Sequence, residues 1–380
     1  MEKRIIQISQ PCLGEEEWNA MREPIFSGWV TQGPKVKEFE KLFAERHKVK
    51  HAVAVSNCTT ALHLALLAAG VKEGDEVLVP AFTWVATANA VLYCNAIPVF
   101  VDIDPVTFNI DASKIAAKIT KRTKAIIPVH LFGLTADMDA IRKAAPGLKI
   151  VEDGACAAGA AYKGTPAGAL GDLGCFSFHP RKSVTTGEGG MITTNSDDLA
   201  HHVDVLRNHG ASVSEEQRHK GPKPYILPDF EVMGFNYRMT DLQGAVGTVQ
   251  IKKLDQYINE RQKWAAHYNE AFRSIKWLRT PEYSSDYKHG WQSYVLMLDE
   301  KTAPVKRNEL MEILQQKGIS TRPGTHAVHM LSFYAKKYNI KPSDYPGAEL
   351  ANNCSMAIPL HNKMVAEDYE YIINAILSVK

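Results

Sequence analysis

The chain has 380 residues, with 44 Lys and Arg against 42 Asp and Glu for a net charge of +2, and 45% apolar residues. That length exceeds one ordinary core, so a large and a smaller domain are expected, divided as 1–255 and 256–380. A balanced charge with no dense basic stripe argues against a nucleic-acid partner, and no apolar run is long enough to span a membrane. The opening Met1-Glu-Lys-Arg-Ile-Ile-Gln-Ile lacks the apolar stretch of a secretion signal, so the expected compartment is the cytoplasm. Cys12, Cys58, Cys94, Cys156, Cys175 and Cys354 are scattered without a Cys-x-x-Cys pair, which argues against a disulfide framework and a structural zinc site.

Residues 5–34 are turn-rich and include Ser27-Gly-Trp-Val-Thr-Gln-Gly-Pro34, ahead of a charged helix from Lys35 to His47. Loops of this kind often line a site, and Trp29 either packs under a domain edge or meets a ligand. The run Val53 to Leu67 reads as a short strand, a polar turn and a helix beginning near Thr59. A helix N-terminus with small hydroxyl residues suits an anion, but Asn57, Thr59 or Thr60 would equally serve as ordinary caps.

Glu76 to Thr87 is a buried-type strand leading into another helix and carries Trp84 near its end. That indole is a flat apolar face for a ring or simply core packing. Two more strands, within Ala96 to Pro105 and Thr123 to Gly133, alternate with helical patterns, and Leu148 to Asp153 repeats the theme. The alternation predicts an α/β domain with a mainly parallel sheet covered on both faces. Asp153 closes its strand before Gly154-Ala-Cys-Ala-Ala-Gly-Ala, where a carboxylate can reach a ligand or cap a following helix.

Between strand-like Cys175 to Phe178 and Met191 to Thr194 lies a polar, Gly-rich loop with Lys182 at its centre. Pro180 fixes the approach, and Gly187, Gly189 and Gly190 let the backbone turn or come close to a ligand. A lysine that forms a Schiff base must lose its proton, through desolvation or a neighbouring cation, and His179 and Arg181 are placed to supply that charge. A bare loop lysine is otherwise a solvated surface charge.

Ser214 to Pro228, charged and proline-containing, reads as a mobile loop. Gly234-Phe-Asn-Tyr-Arg238 then precedes a helix from about Thr240 toward Arg261, taken as the bridge between domains. Arg238 has the two-pronged geometry to hold a carboxylate. The final third alternates strand-like Ser293 to Leu298 with helical Val305 to Lys317, as in a small α+β domain. Its loop Thr321 to Met330 carries Arg322, His326 and His329, donors suited to sugar hydroxyls or phosphates, or plain loop residues. The paired histidines have no acidic or cysteine companion nearby, so no metal is expected.

The stretch Ser177-Phe-His-Pro-x-Lys182-x-x-Thr-Thr-Gly-Glu-Gly-Gly190 resembles the DegT/DnrJ/EryC1/StrS family of nucleotide-sugar aminotransferases, and the resemblance extends over nearly the whole chain. It implies a fold type I enzyme dependent on pyridoxal 5'-phosphate (PLP), with a seven-stranded-type sheet in the large domain and a smaller α+β C-terminal domain. It puts the cofactor on Lys182, its phosphate at Thr59 and Thr60, its ring against Trp84, and its ring nitrogen against Asp153, with Ser177 among the cofactor contacts. Cys156 stands where family members often carry Gln or Glu, a departure at the position that usually bonds the cofactor's phenolic oxygen.

The same resemblance implies a homodimer in which Asn236 reaches the partner's phosphate. It makes Trp29, His179, Arg238, Arg322, His326 and His329 substrate-side candidates. It also implies an amino-acid donor, glutamate, and a nucleotide-linked 4-keto-6-deoxyhexose aminated at carbon 4, a GDP-linked sugar of the perosamine type being preferred for surface glycoconjugates. Three alternatives stand beside this: amination at carbon 3, a sugar dehydratase as in relatives with histidine in place of the lysine, and a non-catalytic regulator. Here the lysine is present, and neither a helix-turn-helix nor a basic face is visible.

Overall fold

A computed structural model describes residues 4–211, 213, 221–223, 225–230 and 232–379. Most of the expected mobile loop, at 214–220 and 224, lies outside the described residues. The strands in chain order are β1 (His51–Val55), β2 (Glu76–Pro80), β3 (Phe82–Thr83), β4 (Ile97–Val101), β5 (Thr123–Ile126), β6 (Lys149–Asp153), β7 (Ala161–Tyr162) and β8 (Thr165–Pro166). They continue as β9 (Leu173–Ser177), β10 (Gly190–Thr194), β11 (Leu278–Arg279), β12 (Tyr287–Lys288), β13 (Tyr294–Leu298), β14 (His326–Ala327) and β15 (Ser355–Ile358).

Seven of them form one sheet in the order β1-β10-β9-β6-β5-β2-β4. The pairs β4/β2, β2/β5, β5/β6 and β6/β9 are parallel, and β10 alone runs against its neighbours β9 and β1. Strands such as Glu76–Pro80 are buried along their whole length, the pattern of a sheet covered on both faces. Helices over Cys58–Ala68, Ala86–Tyr93 and Asp197–Arg207 contribute to its cover. The expected α/β fold with a mainly parallel seven-stranded sheet is therefore present. In such sheets ligands gather beyond the carboxyl ends of the strands.

The helix after residue 240 starts as expected but runs further, over Asp241–Phe272. Thr240 and Gln243 cap its start reciprocally: the Gln243 amide donates to Thr240 Oγ1 and the Thr240 amide donates to Gln243 Oε1. Beyond Arg261, Ala265, Tyr268 and Phe272 recur at helical spacing and enter a second core, which explains the extension. Upstream, Ile251, Leu254 and Ile258 pack with Phe39, Phe43 and Phe178 in the first lobe. The helix is thus continuous across residue 255, and its packing passes from one core to the other between Ile258 and Ala265.

The second core gathers around a three-stranded sheet, β11-β13-β15, with the helices Arg307–Gln316 and Ala366–Leu377. Two short antiparallel pairings tie the C-terminal part of the chain to the first lobe: β14 with β3, His326 lying opposite Thr83, and β12 with β7, Tyr287 lying opposite Tyr162. Among the described residues no helix is long and apolar enough to cross a membrane.

Candidate active site

Lys182 sits on the connection between β9 and β10, a hairpin whose loop is closed by Phe178 N donating to Gly189 O (2.9 Å) and Thr186 N donating to Phe178 O (3.0 Å). Gly187 takes a φ of 85°, which a side chain would strain. The long helix braces this loop at three points. Gln243 Nε2 donates to Glu188 O (2.7 Å), Thr185 N donates to Gln250 Oε1 (3.2 Å), and Arg261 Nη1 donates to Ser183 Oγ (3.3 Å). None of the three helix residues announces itself in sequence, because each lies tens of positions from the loop it holds.

The Lys182 amine lies 3.2 Å from Cys156 Sγ. Burial works most strongly to lower its pKa, but the hydrogen bond and electrostatic attraction of Cys156, with Cys58 and Asp153 adding to them, together outweigh burial and the pKa is raised. This is the reverse of the expectation that Arg181 and His179 would press the proton off. His179 is itself lowered, by burial first, with Lys182, Arg181 and Arg322 adding to the effect and Glu188 opposing it.

Asp153 is buried at the carboxyl end of β6. Its Oδ2 accepts from the Thr87 hydroxyl (2.7 Å) and its Oδ1 from Ala155 N (3.1 Å). Turns, not a helix, follow it, so helix capping is not its role. The preceding Glu152 is fully buried and accepts from Gly168 N (2.7 Å), Leu170 N (2.7 Å) and His130 Nε2 (2.8 Å). His130 Nδ1 accepts from Ala136 N, so its proton sits on Nε2 toward Glu152. Together these bonds fix the strand end that presents Asp153.

Beyond β1 the helix Cys58–Ala68 is capped by Asn57, whose Oδ1 accepts from Thr60 N (2.9 Å). The Thr60 hydroxyl donates to Asn57 O (2.7 Å) and Thr59 is half-buried in the same turn. Gly190 lies directly beneath: a Cβ there would come within 2.5 Å of the Asn57 carbonyl, so only glycine lets β10 approach this helix start. The capping reading and the anion reading coexist, since one cap leaves other first-turn amides to bind.

Trp84 follows β3 and is 59% exposed, with its ring edge-on to His326 at 5.4 Å. Core packing is therefore not its role. Arg322 is half-buried; its backbone exchanges hydrogen bonds with Ala357 of β15, and burial together with nearby Arg181 lowers its pKa. Ser177 ends β9, with its hydroxyl accepting from His179 N (3.4 Å). Asn236 is exposed and Arg238 half-buried, next to Tyr237, whose carbonyl accepts from Ser56 N (2.8 Å) beside the helix cap.

One expected contact is placed differently. His329 is fully buried: its ring lies 4.7 Å from Tyr345 with Nε2 3.2 Å from Pro342 O, so it packs into the core below the loop rather than toward Lys182. Trp29 is half-buried in the turn before the helix Pro34–His47, its indole nitrogen donating to Gln32 O (3.2 Å). That turn is clamped by Asp241, which accepts from Gly33 N and Val36 N. Among the described residues no cluster of His, Cys, Asp and Glu is arranged to hold a metal ion.

A solvent-open indole, an amine, a buried carboxylate and a helix start, all at one end of the sheet, fit PLP. The chain's residues 11–377 match the model of the DegT/DnrJ/EryC1/StrS aminotransferase family. It is 40% identical to spore coat polysaccharide biosynthesis protein SpsC of Bacillus subtilis over 98% of this chain and 96% of that one. It is 39% identical to GDP-perosamine synthase of Caulobacter vibrioides over 98% and 97%. The solved PLP form of Spr1654 from Streptococcus pneumoniae superposes with a TM-score of 0.90 at 28% identity, over 99% and 98% of the two chains. The chain belongs to the DegT/DnrJ/EryC1/StrS aminotransferase family and is a PLP-dependent sugar aminotransferase.

Proposed function

We propose that the protein transfers the amino group of L-glutamate to carbon 4 of a nucleotide-linked 4-keto-6-deoxyhexose, for a surface polysaccharide or glycoconjugate. The observation that carries the catalytic part is the convergence of the Lys182 amine on Cys156 and Asp153. The substrate part is supported by the full-length relatives that make perosamine and spore coat polysaccharide.

In this reading Lys182 would hold the cofactor through its carbonyl carbon, Asp153 would keep the ring nitrogen protonated, and Trp84 would offer its face to the ring. Thr59 and Thr60, at the start of their helix, take the phosphate, and Ser177 and Cys156 complete the cradle. When bound, PLP supplies an electron sink for charge developing at the donor's α-carbon. Lys182 Nζ would take the proton from that carbon. To hold the cofactor at all, the amine must first release the proton that its neighbours favour. Arg238 holds the donor carboxylate, and Arg322, His326, His179 and Trp29 meet the sugar nucleotide. Residues 1–255 would then carry the cofactor, and 256–380 the loop that reaches over the substrate.

A homodimer with shared sites is part of the reading, Asn236 serving the partner's phosphate. Tyr225, Leu227, Phe230 and Met233, large apolar residues exposed just before Asn236, support a covered surface there. Assaying GDP-, UDP- and dTDP-linked 3-keto and 4-keto sugars with glutamate, read by product mass, tests the proposal. A GDP-linked 4-keto-6-deoxy substrate is expected to give the highest kcat/KM. A clear preference for a 3-keto compound would overturn the carbon-4 assignment and leave the aminotransferase intact.

A further inference from the structure

The contact between Cys156 and Lys182 has a chemistry of its own, apart from amino transfer. A thiol 3.2 Å from a primary amine is at van der Waals contact, and the loop holding the amine is braced by Gln243, Gln250 and Arg261. Of the six cysteines, Cys58, Cys94, Cys175 and Cys354 are buried, whereas Cys156 and Cys12 are half-exposed. Only Cys156 has a side-chain amine against its sulfur among the described residues. A thiol that is reachable from solvent and sits beside a cationic nitrogen is in the environment where peroxide oxidation is favoured.

We propose that Cys156 and Lys182 are a peroxide-sensitive pair, in which oxidation of the thiol ends in a reversible sulfur–nitrogen bond that occupies the lysine and is blocked when the cofactor holds it. In the first step the thiol gives two electrons to hydrogen peroxide, becoming a sulfenic acid while the peroxide is reduced and one water is released. In the second, with the thiol already converted to a neutral sulfenic acid, the Lys182 ammonium gives one proton to solvent, and the nitrogen lone pair then attacks the sulfur and breaks the S–O bond. The departing hydroxide takes a proton from the nitrogen and leaves as a second water. The protein is then lighter by two hydrogens, its sulfur oxidised by two electrons. Two equivalents of a small thiol reverse the change, restoring thiol and amine and becoming a disulfide. Sulfenic acids condense with nearby nitrogen in this way.

Cys58 is the competing partner, since it shares the electrostatic neighbourhood of Cys156 and Lys182. Burial, with Asp153 adding to it, pushes its pKa well above the ordinary thiol value, which leaves it a weak nucleophile. Sulfur–nitrogen closure is therefore favoured over a disulfide to Cys58.

The experiment is peptide mapping by mass spectrometry of the full-length protein after hydrogen peroxide treatment and alkylation, with and without prior saturation by PLP. The expected product links the peptides of Cys156 and Lys182 with loss of two hydrogens, persists in Cys58→Ala, vanishes in Cys156→Ser and Lys182→Arg, and is reversed by dithiothreitol. Recovery of Cys156 unmodified, over-oxidised, or joined to Cys58 in the wild-type protein would overturn the proposal without reliance on any variant. The protective arm alone rests on Lys182 as the cofactor lysine: a crosslink that forms equally after PLP saturation would overturn the blocking step, while amination assays judge the proposed function separately.

Discussion

The Thr87 hydroxyl donates a 2.7 Å hydrogen bond to Asp153 Oδ2, so a residue 66 positions upstream aims the carboxylate assigned to the cofactor nitrogen. Thr83 Oγ1, four residues earlier at the end of β3, lies 3.0 Å from the same hydroxyl, and both residues are buried. Replacing Thr87 by Val keeps the volume and removes the donor, leaving a buried carboxylate oxygen short of a partner. The expected cost is about 1–3 kcal/mol in urea unfolding, with faster loss of PLP on dialysis. Thr87→Ser restores the donor and should restore both readouts; a Ser variant as weak as Val would show that packing, not the bond, matters.

Lys182→Ala is expected to lower kcat on the order of 10⁴-fold or more, about 5 kcal/mol of transition-state stabilisation. Neither Lys163 nor Arg181 can replace it: Lys163 Nζ is paired with Asp139 at 2.7 Å on the surface, and the Arg181 guanidinium cannot form the linkage. The check has two parts, amination rate and the colour change that glutamate causes in the holoenzyme. Full steady-state activity in the variant would sink the assignment.

Much of this was legible locally and some was not, for a physical reason. The strand-loop-strand around Lys182, the strand end at Asp153 and the helix start at Asn57 depend on neighbours in sequence, so glycine spacing and apolar runs reveal them. Thr87, Gln250 and Arg261 act across the fold, and nothing beside them in the chain marks the partner. His326 and His329 look alike in sequence, yet the short turn Val328–Met330 leaves the first exposed and sends the second into the core against Tyr345. The helical pattern toward Arg261 stops short of the observed helix end because the outer half serves a different core from its start.

His47 supplies a pH dependence away from the site. Its Nδ1 donates to Phe43 O (3.0 Å) and its Nε2 accepts from Gly159 N (3.4 Å), so the neutral ring is satisfied and a second proton would face an N–H. Burial pushes its pKa down to about 3. Between the ordinary value of 6.5 and that value, the unfolded chain binds a proton that the folded chain refuses, so stability falls as pH falls through this window. The contribution is about 1.4 kcal/mol per pH unit. Urea unfolding between pH 4 and 6 should therefore show a slope shallower by about that amount in His47→Gln. An unchanged slope would remove His47 as the source.

The proposed sharing of sites between two chains leads to a complementation test. The backbone around Asn236 is pinned to its own chain, by the Tyr237 carbonyl accepting from Ser56 N and by the bridge to Asn208, while the Asn236 side chain is exposed. Thr240, not Asn236, caps the following helix, which leaves the exposed amide available for the proposed role toward a neighbour's phosphate. Mixing Lys182→Ala with Asn236→Ala chains, after dissociation and reassociation, makes heterodimers in which one site regains both wild-type residues and the other loses both. At equal proportions half the dimers are mixed and each has one competent site, so activity should reach about a quarter of wild type, above the mean of the separate variants. If Asn236 serves its own chain's site, every heterodimer site keeps one defect and mixing gains nothing. Sedimentation of the wild type under assay conditions completes the argument, because a monomer with full activity cannot share a site.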